Sequence, residues 1–321
     1  MMYRVRIYLK ILRKIYSFLS PDSFEMRNWK MFSNKEYAND LIYQTLINDK
    51  PCMIARFGST EMSCLTNYIG VKYKDEFKDY KKYVKGETPP WWWEKSIILQ
   101  MQNWSGFFPP ETSKIEQFCK LLLSDAKEVD ILGSWLHQEK FVKNNIKQAK
   151  QIVLEDMEPF FTENPWTKAL EGKKVLVVHP FSESIQEQYK KRELLFENNL
   201  LPEFDLKTIK AVQSIAGAKT EFSDWFEALE YMKKEIDKID YDICIVGAGA
   251  YGFPLAAHVK RSGKKAIHLA GVTQLLFGIK GSRWENFIVW PYMNLFNEHW
   301  IRPLGIEKPK NAQVVEGACY W

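Results

Sequence analysis

Two glycine-containing loops constrain the fold of this chain more than any other feature. Residues 56–61 (Arg-Phe-Gly-Ser-Thr-Glu) follow the apolar run 52–55, and residues 247–252 (Gly-Ala-Gly-Ala-Tyr-Gly) follow the apolar run 243–246. Each pattern predicts a buried strand, a tight turn and the start of a helix. Phosphate groups bind at such turns in α/β proteins, because free backbone N–H groups and the helix dipole meet there. We therefore expect one crevice built from two distant parts of the chain.

The rest of the sequence alternates between strand-like and helical segments. Strands are predicted at 52–57, 129–134, 151–155, 174–179, 205–211, 242–246 and 265–269. Helices are predicted between most of them, at 59–69, 94–102, 111–124, 137–149, 183–198, 222–238 and 252–262. This alternation predicts an α/β, Rossmann-like fold with a mostly parallel sheet and helices on both faces.

A single domain is expected over residues 21–321. Residues 157–172, with two prolines and a glycine, are either a linker or a loop that joins two halves of one sheet. The polar segment 71–88 predicts a solvated loop or hairpin, and residues 286–321 form an aromatic, irregular tail.

The net charge of +5 is confined to the N-terminus. Residues 1–20 contain five Lys and Arg and no acid, so the remaining chain has no net charge. Residues 21–321 therefore lack the basic surface of a nucleic-acid-binding protein, and we expect no nucleic-acid partner. The first 20 residues combine cations with apolar residues. This combination predicts either a helix in peripheral membrane contact or a helix that docks on the domain or on a partner.

Other sequence signals indicate a cytoplasmic protein, at the inner face of the membrane if the N-terminal helix binds lipid. Lys10, Arg13 and Lys14 interrupt any secretory signal, and no apolar run is long enough to span a bilayer. The five cysteines are scattered without a C-x-x-C pair, which predicts neither a zinc site nor a disulfide framework.

The loop at 247–252 matches G-x-G-x-x-G between a strand and a helix, the fingerprint of dinucleotide binding. An NAD site also requires an acidic residue for the ribose about 20 residues further on. The predicted strand 265–269 contains no acid. Three interpretations therefore remain: phosphate or nucleotide contact, a structural turn, or an NAD site. The candidate binding residues are Gly247, Gly249, Tyr251 and Gly252.

The loop at 56–61 has a functional and a structural interpretation. In the functional one, Arg56 and Phe57 contact the ligand, with Arg56 on a phosphate, and Gly58 permits close backbone approach. Glu61 then faces a metal ion or a sugar hydroxyl. In the structural one, Ser59 caps a helix and Glu61 stabilises its first turn.

Two cations follow the last predicted strand. Lys280 and Arg283 lie in the glycine-containing segment 271–283. Cations at this edge of a sheet suit a diphosphate, which needs countercharge when it leaves. The alternative is that both are solvated loop residues.

Two candidates for a general base lie at the end of the predicted strand 174–179 and just after it. His179 ends that strand, and Glu183 lies in the first turn of the next helix. The alternative is a structural histidine followed by a helix that Ser182 caps. The motifs G-x-S-x-G, H-E-x-x-H and G-x-x-x-x-G-K-[ST] are absent, so a serine hydrolase, a zinc protease and a P-loop enzyme are not indicated.

Taken together, the motifs resemble those of bacterial glycosyltransferases with the GT-D fold. Residues 242–252, 266–271 and 274–281 look like the C-terminal signature of that family, and residues 56–61 look like its N-terminal motif. The resemblance implies a Rossmann-like domain that transfers a sugar from a nucleotide diphosphate donor, commonly UDP-linked. The expected acceptor is a glycan or lipid-linked molecule in surface polysaccharide assembly. The resemblance also adds Gln274 to the candidate binding residues.

In characterised members of that family the first motif is Asp-x-Glu and binds a divalent metal such as Mn²⁺ or Mg²⁺. Here Ser59 stands at the Asp position, and Glu61 matches the Glu. A hydroxyl is a poorer ligand for a hard cation than a carboxylate. Three outcomes follow: Glu61 binds the ion together with phosphate oxygens and water, Lys280 and Arg283 replace the ion, or activity is lost. The last outcome describes a non-catalytic nucleotide-sugar-binding or scaffolding protein, and an NAD-dependent oxidoreductase is a third hypothesis.

Overall fold

The computed structural model describes residues 2–24, 32–285, 291–314 and 317–321. All seven predicted strands are present: β1 (Cys52–Ala55), β2 (Ile131–Ser134), β3 (Lys150–Val153), β4 (Lys174–His179), β5 (Asp205–Lys210), β6 (Ile243–Val246) and β7 (Lys265–His268). Part of the predicted aromatic tail, at 286–290 and 315–316, lies outside the described residues.

Thirteen α-helices lie within the described ranges. They are α1 (Met2–Leu19), α2 (Lys35–Ile47), α3 (Ser59–Lys72), α4 (Lys74–Phe77), α5 (Tyr80–Val84), α6 (Lys95–Ser105), α7 (Thr112–Asp125), α8 (Ser182–Tyr189), α9 (Arg192–Leu195), α10 (Trp225–Asp237), α11 (Gly252–Arg261), α12 (Val272–Leu276) and α13 (Ser282–Glu285). None of these helices has the length and apolar character needed to cross a bilayer.

The strands form one sheet, which is wholly parallel, in the order β3-β2-β1-β7-β6-β4-β5. The first and last strands of the chain are neighbours near the middle of this sheet, where Met53 pairs with Ala266. Because only β7 separates β1 from β6, the loops after β1 and β6 leave the same edge of the sheet about 10 Å apart. The predicted α/β architecture is thus confirmed.

Alternate residues of the strands face two separate hydrophobic cores. On β1, Met53 and Ala55 belong to a core that also contains residues of α3, α7, α10 and α11. Cys52 and Ile54 belong to a second core, which contains residues of α2 and α8. Both sets of side chains are buried, as expected for a parallel strand covered on both faces. The arrangement is Rossmann-like.

The segment 157–172 is a loop between two halves of one sheet rather than a linker between sheets. It connects β3 with β4, and both strands belong to the same sheet. Trp166 in this loop is fully buried, and its indole N–H donates a hydrogen bond to the backbone oxygen of Met157 (3.0 Å).

Three predicted segments differ from the structure. The helix predicted at 183–198 is divided into α8 and α9, which end at Tyr189 and Leu195. The helix predicted at 137–149 is a 3₁₀ helix over His137–Val142 followed by turns. At its start the buried carboxylate of Glu139 accepts a hydrogen bond from the backbone amide of Leu136 (3.1 Å). The loop or hairpin predicted at 71–88 contains the short helices α4 and α5. Asp79 caps α5 by accepting the amide of Lys82 (2.9 Å).

Candidate functional site

A cavity of about 550 Å³ opens at the carboxyl edge of the sheet. It is lined by residues that follow six of the seven strands, β2, β1, β7, β6, β4 and β5. The chain continues from β4 outward to β5, whereas it continues from β6 in the opposite direction to β7. Connections that diverge in this way leave a crevice between them, where open α/β sheets bind ligands.

Eleven of the fourteen candidate residues line this cavity. They are Arg56, Phe57, Gly58, Ser59, Glu61, His179, Gly247, Gly249, Tyr251, Gln274 and Arg283. Both glycine-containing loops therefore contribute to one cavity, within the size range of pockets that hold small molecules. The other three candidates, Glu183, Gly252 and Lys280, lie outside its lining.

Arg56 is the cation that begins the first loop. Its guanidinium lies over the indole ring of Trp135, 4.9 Å from the ring centroid. Trp135 is held in turn by its own indole N–H, which donates to the backbone oxygen of Phe57 (2.9 Å). Burial lowers the pKa of Arg56, and the nearby carboxylate of Glu61 opposes that shift. In the described part of the chain its guanidinium N–H groups have no hydrogen-bond partner, so they are available to a ligand.

The start of α3 provides free backbone donors beside Arg56. The N-cap residue is Gly58, which has no side chain to cap the helix, so the expectation that Ser59 caps it is wrong. Among the residues described, the amides of Ser59, Thr60 and Glu61 donate to no protein acceptor. A helix N-terminus with unpaired amides attracts an anion, because the amide dipoles and the helix dipole point the same way.

The carboxylate of Glu61 folds back over Gly58. A Cβ atom at position 58 would lie 1.8 Å from its Oε2 atom, so no larger residue fits there without moving Glu61. Of the described residues, Glu61 has the only acidic side chain that lines this cavity. It is therefore the one candidate within the cavity for accepting a proton or contacting a cation.

Gly247 and Gly252 of the second loop serve close packing, and Gly249 provides a left-handed backbone conformation. A Cβ atom at Gly247 would lie 2.6 Å from His179 Cδ2 and 2.7 Å from the backbone oxygen of Ala270, so only glycine fits between the β4 and β7 loops. Gly249 has a φ of +52°. A Cβ atom at Gly252 would lie 2.2 Å from His268 Cε1, which shows that this third glycine lets α11 approach β7.

Tyr251 is fixed as part of the cavity wall. Its hydroxyl pairs with Ser214 Oγ (2.9 Å), and that serine donates its own hydrogen to the backbone oxygen of Gly106 (2.6 Å). Tyr251 is therefore the donor in the first of these bonds. Its ring stacks on Trp225 at 4.9 Å and 7°, and burial raises its pKa. The phenol therefore stays protonated and braces the wall.

His179 is neutral, and its proton can be located. Its Nδ1 atom accepts a hydrogen bond from the backbone amide of Phe181 (3.0 Å), so the ring proton is on Nε2. Burial lowers its pKa to about 3. A group in this state donates a hydrogen bond from Nε2 but is a poor proton acceptor at neutral pH. The geometry thus favours a donor role over the expected role of a general base.

A second buried histidine lines the same cavity and was not among the candidates. His268 ends β7, its Nδ1 is 3.2 Å from the backbone oxygen of Val246, and that bond puts the proton on Nδ1. Burial and the nearby Arg56 lower its pKa to about 3. His268 stands at the end of the strand where a dinucleotide site would place its ribose-binding acid.

The two candidate cations after β7, Arg283 and Lys280, lie in different surroundings. Arg283 lines the cavity and donates from Nη1 to the hydroxyl of Tyr320 (2.9 Å), whose ring it also covers. Lys280 faces elsewhere, with its Nζ atom 5.9 Å from the ring centroid of Phe296. Gln274 is fully buried and donates from Nε2 to the backbone oxygen of Tyr320 (3.2 Å).

The tail residues Tyr320 and Trp321 belong to the cavity lining, although no motif predicted this. Glu307, from the same tail, accepts the amides of Glu183 (2.9 Å) and Ser184 (3.2 Å) at the start of α8. A carboxylate from the chain itself therefore occupies that helix N-terminus, and the expected cap from Ser182 is absent.

Glu183 points away from the cavity. Its carboxylate pairs with Lys210, 3.0 Å from the lysine Nζ atom to Glu183 Oε1. Within the described ranges no three His, Cys, Asp or Glu side chains come together as a metal site. The donor set therefore does not fit a metal ion held by the protein alone.

A smaller cavity of about 230 Å³ adjoins the first one. Arg56, Arg283 and Tyr320 line both cavities, and Glu155 and Glu158 line only the smaller one. The two arginines thus stand between a larger compartment and a more acidic one.

Comparisons of the chain with protein-family models, with curated proteins and with solved structures found no match.

Proposed function

We propose that this protein is a glycosyltransferase that uses a nucleotide diphosphate-sugar, UDP-linked, as its donor. One observation carries the proposal: the unpaired amides at the start of α3, the guanidinium of Arg56 and the loop at 247–252 face one cavity. Free amides and a bidentate cation are the groups that bind a diphosphate. The resemblance of the two loops to GT-D glycosyltransferase motifs supplies the sugar-transfer chemistry.

Arg56 and Arg283 would bind the diphosphate and stabilise it as a leaving group. During transfer the bond between the anomeric carbon and the diphosphate oxygen breaks, and the acceptor hydroxyl oxygen bonds to that carbon. Negative charge then develops on the diphosphate, and fixed cations in a desolvated cavity stabilise it most where it develops. The cation–π contact with Trp135 keeps the guanidinium of Arg56 in place.

Glu61 would take the proton that the acceptor hydroxyl loses. It is the carboxylate of the larger cavity, and His179 is a donor in its neutral form. His179 would instead donate its Nε2 hydrogen to an oxygen of the ligand. A Mg²⁺ or Mn²⁺ ion could reach this site only with the diphosphate, because Glu61 offers it a single carboxylate.

The second candidate is a protein that binds a nucleotide-sugar without turnover. Ser59 at the Asp position and the lack of a metal-binding cluster among the described residues favour it. An NAD-dependent reaction has less support, since β7 ends in His268 and offers no carboxylate to a ribose. The surface-polysaccharide acceptor remains part of the first proposal.

Thermal unfolding with UDP, GDP, CDP, dTDP or NAD, each with Mn²⁺ and with EDTA, tests the proposal. A ligand at 100 times its Kd should raise the Tm by about 4 °C. UDP should do so, Arg56→Met should bind it at least tenfold more weakly, and the control Arg192→Met should bind it normally. No shift with any diphosphate would contradict the proposal.

Turnover separates the two candidate functions. Release of UDP from a set of UDP-sugars, measured with hydroxyl-bearing acceptors, should depend on the acceptor in the wild-type protein. Binding of UDP without any release would assign the chain to the non-catalytic class. A thermal shift with NAD alone would instead support the oxidoreductase hypothesis.

A further inference from the structure

The N-terminal helix α1 docks on the domain through its cations. The guanidinium groups of Arg6 and Arg13 lie over the rings of Trp92 and Tyr83, 5.5 and 4.7 Å from the ring centroids. Arg13 also donates to the backbone oxygen of Tyr83 (2.5 Å). Among the described side chains of α1, Leu9 alone is buried. The docked face is thus mostly cationic, the reverse of an ordinary amphipathic surface helix.

A salt bridge connects α1 with the region of the cavity. Lys10 Nζ lies 2.5 Å from a carboxylate oxygen of Glu94, the residue that precedes α6. The last turn of α6 contributes Trp104 and Ser105 to the cavity lining. One helix therefore joins the docking site of α1 to the edge of the cavity.

The opposite face of α1 is apolar and exposed. Eight large apolar side chains on this one helix are at least one-third exposed: Val5, Ile7, Tyr8, Ile11, Leu12, Ile15, Phe18 and Leu19. The last two are 77% and 78% exposed. A continuous apolar surface of this kind marks an interaction site, because monomeric proteins rarely leave one uncovered.

We propose that this face of α1 binds the surface of an anionic lipid bilayer, with the helix in the plane of the interface. Charge decides the occupant. Residues 1–20 contain no acid, and Arg4 and Lys14 are exposed beside the apolar side chains. A second copy of α1 would bring like charges together, whereas anionic headgroups pair with them while the apolar side chains enter the acyl boundary.

The test is flotation of the full-length protein with vesicles of phosphatidylcholine alone or with 30% phosphatidylglycerol. Deleting α1 would uncover Tyr83 and Trp92, so exposed side chains are replaced instead. The triple variant Ile11→Gln, Ile15→Gln, Phe18→Gln should reduce the partition coefficient on anionic vesicles at least tenfold. The control, Ile47→Gln, Leu194→Gln, Met293→Gln, replaces three exposed apolar residues elsewhere and should bind like the wild type.

The variant Arg4→Gln, Lys14→Gln should bind anionic vesicles several-fold more weakly and bind neutral vesicles as the wild type does. The proposal would be overturned if the triple variant bound anionic vesicles as well as the wild type does. It would also be overturned if the wild-type protein bound no vesicles. If the wild-type protein formed a dimer without binding vesicles, and the triple variant were a monomer, the apolar face would be assigned to contact with a second copy of the chain. These outcomes do not depend on sugar transfer, so they are separate from the test of the proposed function.

Discussion

The Nδ1 atom of His179 accepts a hydrogen bond from the backbone N–H of Phe181, two residues later in the chain, with 3.0 Å between the two nitrogens. This bond fixes the tautomer of a buried imidazole and directs its one proton to Nε2. The imidazole is therefore a hydrogen-bond donor in the lining of the cavity, and its proton-accepting nitrogen already has a partner.

His179 should remain neutral across the physiological pH range. Its pKa is lowered to about 3 by burial, whereas an exposed histidine titrates near 6.5. We expect its ring resonances to show no titration between pH 5 and 8, as measured by NMR. A midpoint near 6.5 for this ring would restore a general-base role.

Acid should destabilise the fold through the two buried histidines. Below pH 6.5 the unfolded chain binds protons at His179 and His268 that the folded chain does not bind until about pH 3. Stability therefore falls as the pH drops through this window, by about 2 kcal/mol for each histidine at pH 5 relative to pH 7.5. Urea unfolding at both pH values measures this loss, which should be about 2 kcal/mol smaller in His179→Gln than in the wild type.

Asp125 acts in the opposite direction in the same experiment. Burial raises its pKa to about 6, so the folded chain gains stability as this carboxyl takes up a proton below that pH. This contribution is the same in the wild type and in His179→Gln, and it cancels between them. Equal acid sensitivity in the two proteins would contradict the histidine argument.

Replacing Glu61 by Gln should lower transferase activity. Loss of one charge-assisted contact of about 1.5–3 kcal/mol corresponds to a fall of roughly 10- to 100-fold in kcat/KM. The matched control is Glu227→Gln, which changes a glutamate in the first turn of α10, outside the cavity. Unchanged activity of Glu61→Gln would remove this residue from the mechanism, and UDP binding measured in parallel would show whether the loss is in binding or in turnover.

Gly247→Ala should destabilise the protein by about 1–3 kcal/mol, because the new methyl group has no space. It would lie within 2.7 Å of His179 Cδ2, Thr273 Oγ1 and the backbone oxygen of Ala270. Gly305→Ala is the control, since nothing lies within 4 Å of its new Cβ atom, and it should stay within about 0.5 kcal/mol of the wild type. Denaturant unfolding compares them, and equal stability of both variants would refute the packing argument.

Glu307→Gln should also destabilise the fold, by about 1–3 kcal/mol in denaturant unfolding. Glu307 is 1% exposed, and its carboxylate accepts hydrogen bonds from two amides at the start of α8 and from the hydroxyl of Ser184. Glu36 is a matched control, because it accepts a backbone amide and the Thr162 hydroxyl at an exposed position. The Glu36→Gln variant should lose much less stability, and equal losses would show that burial is not the cause.

Local patterns were enough to predict the sheet. Strands β1, β4 and β6 contain apolar runs, β5 alternates polar and apolar residues, and the side chains of β1 alternate between two cores as a parallel strand requires. The meeting of the two glycine loops at one edge also follows from the fold class, since the carboxyl ends of parallel strands share an edge.

The other parts of the site depend on contacts between distant segments. Glu307 caps a helix that lies 124 residues earlier in the chain, and Trp135 reaches Phe57 across 78 residues. No local motif marks such partners. Lys280 shows the opposite error, in which a local pattern predicts a contact that the structure does not make. Its position after β7 matched a phosphate-binding pattern, but its side chain lies against Phe296.

The pairing of β1 with β7 has a consequence for how the protein is made. Cys52 pairs with Lys265, about 210 residues later, so the centre of the sheet closes only after most of the chain has been synthesised. Until then β1 has an unpaired edge and apolar side chains on both faces. Such exposed strands pair with other chains, and folding through distant contacts is slow. Nascent chains that end before β7 should therefore aggregate readily and depend on chaperones.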